Sequence, residues 1–525
     1  MVPHHALVVI PFFSGWVTDR VSFLVVHSSY DIKGRRLMRA CVVGAGPAGI
    51  VSAKVLLEDG FNVTVFDKYP RVGGIWSPGG CYDGLHNQSA RRLFEFADLP
   101  NRLHLASAVD TQRYLENYAE TFGVLHRLRP ATEVISIRPV EGPGRMGACG
   151  WLVHSRAAGD TAAPVHSESF DYVVVASGAH HHVQLPELPG RELFSGMVLH
   201  SNEVRAGMFA GRRVVVVGGG KSAMDLITRA AHEATSATIV QRTVNWMIPE
   251  RLLLGLVGYK WILLTRFGEA LLPRYHASAC IRPIDRLDER VKRALWWLIT
   301  RDILITTGLY RLPRRLRPAH TLPFHLTHTG VMPRGYARAV RRGLIDPKIN
   351  AVRAYTGKGL RLMTGEEVTA DVIVFATGHH KIFPFLDSRV QVHDPAGRLR
   401  LYRGIVPPSA DRLGFVGFRQ VFNNIMGVEI TAHWLAAYFQ AALRSTPTEQ
   451  EMQEAINARL AWQEQVLPGS QGYDFGAYDI HCADELLHDM GLPSRRAGNL
   501  LAEYLLPGGV AHRYTGLTAQ RRGAK

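Results

Sequence analysis

The chain has 525 residues, 46% of them hydrophobic and 20% charged, with a formal net charge of +16. That length allows two or more domains around a large core, and the composition excludes disordered and fibrous classes. Five scattered cysteines (Cys41, Cys81, Cys149, Cys280 and Cys482) form no CxxC, which argues against a disulfide framework, a zinc site or a dithiol redox centre and suits a reducing cytoplasm.

Residues 1–37 come first and carry no motif. Their apolar runs, Ala6 to Val17 and Val21 to Val26, are broken by Pro11 and by Asp19-Arg20. Neither reaches the roughly 18 residues of a spanning helix. The arginines Arg35, Arg36 and Arg39 follow the apolar stretch, the reverse of a secretory signal. The segment is expected to lie outside the core fold, which begins at Met38.

A strand, Ala40 to Val43, then runs into Gly44-Ala45-Gly46-Pro47-Ala48-Gly49, with a helix expected over Ile50 to Asp59 and Asp67 after the next strand (Asn62 to Phe66). Each glycine has a mechanical reason: a tight turn, close approach of backbone to a pyrophosphate, and close helix-to-strand packing. The helix N-terminus offers unpaired N–H groups to phosphate. Asp67 is placed to accept the adenosine ribose hydroxyls, with Lys68 beside it. These residues predict a first dinucleotide site.

Tyr172 to Gly178 reads as another buried strand, and Val214 to Val217 opens a second fingerprint 174 residues after the first. This is Gly218-Gly219-Gly220-Lys221-Ser222-Ala223, followed by a helix over Met224 to Glu233. The next strand, Ala237 to Gln241, ends in Arg242 rather than an acid. A guanidinium suits a 2′-phosphate, so the second site reads NADPH before NADH, with Lys221 sharing the load.

From Trp246 to Gly330 the alternation breaks into a Leu-, Trp- and Arg-rich stretch, expected to be a mainly helical insertion over 247–330. The positive charge concentrates here: Arg251 to Ile345 holds 18 Lys/Arg against 5 Asp/Glu. No nucleic-acid motif or aromatic stacking platform accompanies it. The insertion reads as a lid over a substrate channel, with a peripheral membrane contact as the alternative. Val372 to Phe375 with Ala376-Thr377-Gly378 is a last buried strand, and a long helix is expected from about Gly427 to Leu443. The histidine runs His180 to His182 and His379-His380 lack carboxylates or cysteines at ligand spacing and read as loop histidines, so no metal is expected.

Several of these motifs, in this order, resemble the flavin-containing monooxygenases of the class B flavoprotein monooxygenases, from about Met38 to Leu492. Gly73-Gly74-Ile75-Trp76 is similar to that family's GG-x-W turn beside the flavin. Phe194 to His200 is similar to its FxGxxxH signature, Arg242 to Trp246 to its R-x-x-x-W run, and Asp371 to Gly378 to its ATG strand. Two positions depart: Val204 stands where the family has Tyr or Phe, and His379 where it has Tyr.

The resemblance implies two Rossmann-like α/β domains, the NADPH domain (191–348) inserted in the FAD domain (38–190 and 349–525). It implies FAD held by Gly44, Gly46, Pro47, Ala48, Gly49, Asp67, Lys68, Gly74, Ile75 and Trp76. NADPH would be held by Gly218, Gly220, Lys221, Ser222, Ala223 and Arg242, with Thr377 and Gly378 also on the cofactors. The implied reaction moves one oxygen atom of O2 from a flavin C4a-hydroperoxide to a nucleophilic N or S of a small-molecule substrate. Baeyer–Villiger insertion, amino-acid N-hydroxylation and a non-oxygenating flavin NAD(P)H dehydrogenase are the alternatives. His200 is implied as catalytic, together with an amide six residues after a tyrosine; counting from Tyr82 leaves Gln88 or its neighbour Asn87. A cytoplasmic protein is expected, with a membrane contact only through 247–330.

Overall fold

The computed structural model describes residues 37–273, 275, 287–319, 330–419, 424–466 and 479–523. Residues 38–525 form one compact unit. The expectation for the N-terminal extension falls, but for Leu37, outside the described residues.

Two five-stranded parallel sheets organise the unit. The first runs in the order Leu413–Phe415, Tyr172–Val175, Arg39–Val43, Asn62–Phe66, Leu128–Arg129. The second runs Asp346–Ile349, Ser236–Gln241, Arg213–Val217, Val372–Phe375, Met197–His200. Helices and meanders cover both faces, so the central strands are valine-rich without alternation. Cys41, Val42, Val174, Val215, Val216 and Val374 are fully buried.

The sheets repeat one plan. In each, a glycine-ended strand leads into a helix, Pro47–Glu58 in the first and Lys221–Glu233 in the second. A three-stranded antiparallel meander then precedes the strand on the other side. The aspartate that opens that neighbouring strand caps the fingerprint strand: Asp171 accepts the N–H of Arg39 at 2.8 Å, and Asp371 that of Arg213 at 2.8 Å.

This plan corrects a boundary. The strand Val372–Phe375, expected in the second part of the FAD domain, belongs to the second sheet, pairing with Arg213–Val217 on one edge and Met197–His200 on the other, and the meander before it (Val352–Thr369) leads into it. The chain returns to the first sheet only at Leu413–Phe415. A buried apolar strand has the same pattern in either sheet, so periodicity could not assign it. The two crossings between sheets lie side by side as an antiparallel ribbon, His182–Val183 against His379–His380. The expected loop histidines are therefore partly in a strand pair.

The insertion starts from a parallel neck, Met247–Ile248 against Gly330–Val331. In its described part a short hairpin (Arg251–Leu252 with Val257–Gly258) precedes helices Arg266–Ala270 and Glu289–Thr307. Leu252, Tyr259, Trp296 and Ile303 form its core, which continues into Ala90 and Leu93 beside the first sheet. The late helix spans Asn424–Phe439 and is buried nearly all round against Pro47–Glu58.

Candidate active site

At the first fingerprint, Gly44 has φ +108, and a Cβ there would lie 2.5 Å from the Ala176 carbonyl oxygen. A Cβ on Gly49 would lie 1.8 Å from the carbonyl oxygen of Gly44. Gly74, at φ +60, faces Gly46 so closely that its Cβ would sit 3.1 Å from the Gly46 Cα. The turn is pinned by the Gly73 N–H donating to the Ala45 carbonyl at 3.0 Å. Pro47 opens the helix, and its Gly46 cap gives no side-chain hydrogen bond, leaving first-turn N–H groups for an anion. Asp67 accepts the N–H groups of Ala45 at 2.5 Å and Tyr69 at 2.7 Å. Burial raises its carboxyl above the usual range against the pull of these bonds and of Lys68. Trp76 packs edge-on against Phe94, with Ile75 half-buried beside it.

The second fingerprint repeats the geometry with more room. Gly218, at φ +139, would set a Cβ 2.3 Å from the Ala376 carbonyl oxygen, whereas a Cβ on Gly220 would meet nothing within 4 Å. Gly220 again caps its helix without a side-chain bond. Under the loop, the side-chain amide oxygen of Gln241, Oε1, would lie 3.0 Å from a Gly219 Cβ; it is buried without a hydrogen-bond partner. Asn245 donates to the Gly219 carbonyl at 3.0 Å. Arg242 is exposed. Lys221 pairs with Asp225 one turn along the helix. The Tyr82 hydroxyl donates to the other Asp225 oxygen at 2.8 Å and also meets Ser222. Ala223 is packed in the core beneath.

Between the two loops stands Gln88. A Cβ on Gly330 would be 2.7 Å from the Gln88 Oε1 and 3.1 Å from the Lys221 Cβ. The Gln88 Oε1 accepts the Val331 N–H at 2.7 Å. Tyr259 of the insertion donates its hydroxyl to the Gln88 backbone carbonyl at 2.6 Å and accepts the Ala90 N–H at 3.0 Å. Asn87 is buried, its amide taken up by Thr111 at 3.3 Å and the Ser89 N–H at 3.2 Å. Of the two amides, only Gln88 is brought beside the second loop.

His200 is not brought to Gln88. It lies at the ribbon, where its Nε2 is 3.3 Å from the Gly378 carbonyl and its ring meets that of His379 edge-on at 4.9 Å. His379 also faces His180 at 5.3 Å. Burial, joined by neighbouring histidines or by Lys381, pushes His180 down to about 4 and His379 to about 3, so these rings are neutral near pH 7. Thr377 and Gly378 are engaged by Gln184 of the crossover.

Sequence reasoning missed Gln241, Asn245 and Tyr259. The first two flank Arg242 and could have been read from that position, but nothing local marks Tyr259.

Both cradles fit dinucleotides. One has glycines where any side chain would strike backbone; the other has an open Gly220, an orphaned buried amide oxygen and an exposed arginine. A family model described as flavin-binding monooxygenase-like matches residues 37–302 and 356–493. The chain is 27% identical to a probable flavin-containing monooxygenase 1 of Arabidopsis thaliana, over 90% of this chain and 95% of the relative. It is 27% identical to flavin-containing monooxygenase 5 of Oryctolagus cuniculus, over 80% and 76% respectively. S-allyl-L-cysteine S-oxygenase from Allium sativum shares the fold at TM-score 0.60 and 20% identity, over 87% of this chain and 89% of that one. Cyclohexanone monooxygenase from Rhodococcus sp. Phi1, bound to NADP+, does so at TM-score 0.61 and 21% identity, over 85% and 97%.

Proposed function

The chain belongs to the flavin-binding monooxygenase-like family and is a flavin monooxygenase; from this premise we propose that it uses FAD and NADPH to add one oxygen atom of O2 to a nucleophilic nitrogen or sulfur of a small organic substrate. FAD would be held in the first cradle by the Pro47 helix N-terminus for its pyrophosphate and by Asp67 for its ribose, with Lys68, Gly74, Ile75 and Trp76 nearby. NADPH would be held in the second cradle by Gly218 to Ser222 for its pyrophosphate and by Arg242 for its 2′-phosphate. The bound flavin supplies the hydride-accepting and oxygen-activating chemistry. The protein binds, orients and excludes water.

The observation that carries this reading is the meeting of Gln88 and Lys221 across Gly330, an amide of the first domain against the second glycine loop. With its Oε1 accepting from Val331, Gln88 keeps its Nε2 as the donor that would serve the oxygen being transferred. Tyr259 and the insertion core pack against the Gln88–Leu93 segment, on the side from which water would have to be excluded to protect a reactive centre. Supporting the alternatives less, Asn87 is engaged by Thr111 and the Ser89 N–H and His200 by the interdomain ribbon. His200 then acts by holding the ribbon.

Incubating the purified protein with NADPH and a panel of amines, sulfides and ketones tests the reading. N-oxide or S-oxide products with NADPH consumption are expected. Esters from the ketones alone, or NADPH oxidation with every substrate recovered unchanged, would overturn it.

A further inference from the structure

The insertion has an inner face and an outer one. Inward, Leu252, Trp296 and Ile303 pack in its core. Outward, the tip of its hairpin carries Leu253, Leu254 and Leu256, the last two 70% and 75% exposed. The tip is held in a costly shape. Leu253 and Leu254 both lie in the left-handed region, at φ 52 and 55, which a leucine seldom adopts. The Asp302 carboxylate imposes it by accepting both backbone N–H groups, each at 2.7 Å.

Asp302 belongs to helix Glu289–Thr307, so the tip is fastened to that helix. The exposed side of the helix bears Val291, Trp297, Leu298 and Ile305 among Arg290, Arg293 and Arg301. The Arg301 guanidinium stands 5.1 Å from the Trp297 ring centroid. Within Arg251 to Ile345 the basic residues outnumber the acidic 18 to 5.

We propose that this outer face docks on an anionic lipid bilayer, the leucine tip entering the acyl layer and the arginines meeting headgroup phosphates. A folded protein partner would need a pocket to receive a projecting leucine turn, whereas a bilayer accepts one anywhere on its surface. Exposed tryptophan beside arginine suits the headgroup boundary, where an amphipathic ring has one wet and one apolar side. The cationic surround matches the negative potential of anionic lipid. Among the described residues no helix is long and apolar enough to cross a membrane, so the contact is interfacial. The proposal stands apart from the oxygenation reading, since it needs no turnover.

The test is flotation of the FAD-loaded full chain with vesicles of phosphatidylcholine alone or mixed equally with phosphatidylglycerol. The protein should float with the mixed vesicles at low salt and be released by high salt. Leu254→Asp with Leu256→Asp should lower the partition about tenfold or more, and Arg290→Glu with Arg293→Glu should abolish the preference for the anionic vesicles. Flavin absorbance and NADPH oxidation, unchanged in both variants, establish that they are folded. Wild type that stays unfloated with either vesicle, or a leucine variant that floats as well as wild type, overturns the proposal. So does a wild-type dimer that the leucine variant dissolves, because the face would then belong to a second copy.

Discussion

Lys221 and Asp225 form an ion pair one turn apart on the helix that follows the second glycine loop, and Tyr82 of the first domain donates to the same carboxylate at 2.8 Å. The trio fastens the two dinucleotide domains beside the second cradle. In the function proposed above, the coenzymes are distinguished by Arg242 rather than Lys221. A guanidinium on a 2′-phosphate contributes roughly 1.5–3 kcal/mol, or about tenfold to a hundredfold. Arg242→Ala should raise the KM for NADPH by that factor and leave that for NADH nearly unchanged. Lys221→Ala should weaken both coenzymes alike. Steady-state kinetics with the two coenzymes decide it, and a selective NADPH loss in Lys221→Ala would restore the lysine to the phosphate.

The central plan was legible in the sequence because buried parallel strands are continuous valine runs and each glycine turn has a mechanical cause. The Lys221–Asp225 pair was also visible as an i,i+4 spacing, although the lysine read more naturally as a phosphate ligand. What stayed hidden was long-range. Sheet membership of Val372–Phe375, the reach of Tyr82 to Asp225 and the Tyr259 bond to Gln88 join residues whose separation leaves no local pattern.

Gln88 and Asn87 should separate cleanly on substitution. Gln88→Ala removes the amide beside the second loop, so NADPH should still be oxidised while a larger share of the electrons ends as hydrogen peroxide. Asn87→Ala leaves Thr111 and the Ser89 N–H without a buried partner, a loss of about 1–3 kcal/mol that thermal melting would read. Equal coupling in wild type and Gln88→Ala, measured as product formed per NADPH, would remove Gln88 from the chemistry.

The glycines of the two cradles differ in why they are needed. Gly49→Ala would drive a methyl to within 1.8 Å of the Gly44 carbonyl oxygen, and Gly218→Ala to within 2.3 Å of that of Ala376; loss of bound flavin and loss of folded protein are the respective expectations. Gly220→Ala meets nothing within 4 Å, so the fold and its flavin content should survive. Its methyl projects into open space where the coenzyme pyrophosphate approaches, and the NADPH KM should rise. An unchanged KM would move the coenzyme away from Gly220.

Glu429 gives the fold a pH signature. It lies in the buried helix Asn424–Phe439 and accepts the Ala97 N–H at 2.9 Å. Burial, with help from Asp98, outweighs that bond and Lys54 and pushes its carboxyl from 4.5 up to about 8. Between those values the folded protein holds a proton that the unfolded chain has released. The stabilisation is therefore complete below pH 4.5 and is lost as pH rises through about 8, at about 1.4 kcal/mol per unit. The buried histidines act in the opposite sense and in another window. With folded values of about 4 for His180 and about 3 for His379 against an ordinary 6.5, their contribution disappears only as pH falls below 6.5. Unfolded histidines still release protons just above pH 6.5, a term shared by wild type and a Glu429 variant, so denaturant unfolding reads the carboxyl as the difference between the two. Wild type should lose about 2 kcal/mol relative to the variant between pH 6.5 and 8. Glu429→Gln keeps an acceptor for Ala97 and carries no titrating proton at that position, so its stability should not decline over the same interval. A variant that declines as steeply as wild type would show that the Glu429 carboxyl is already ionised in the folded protein.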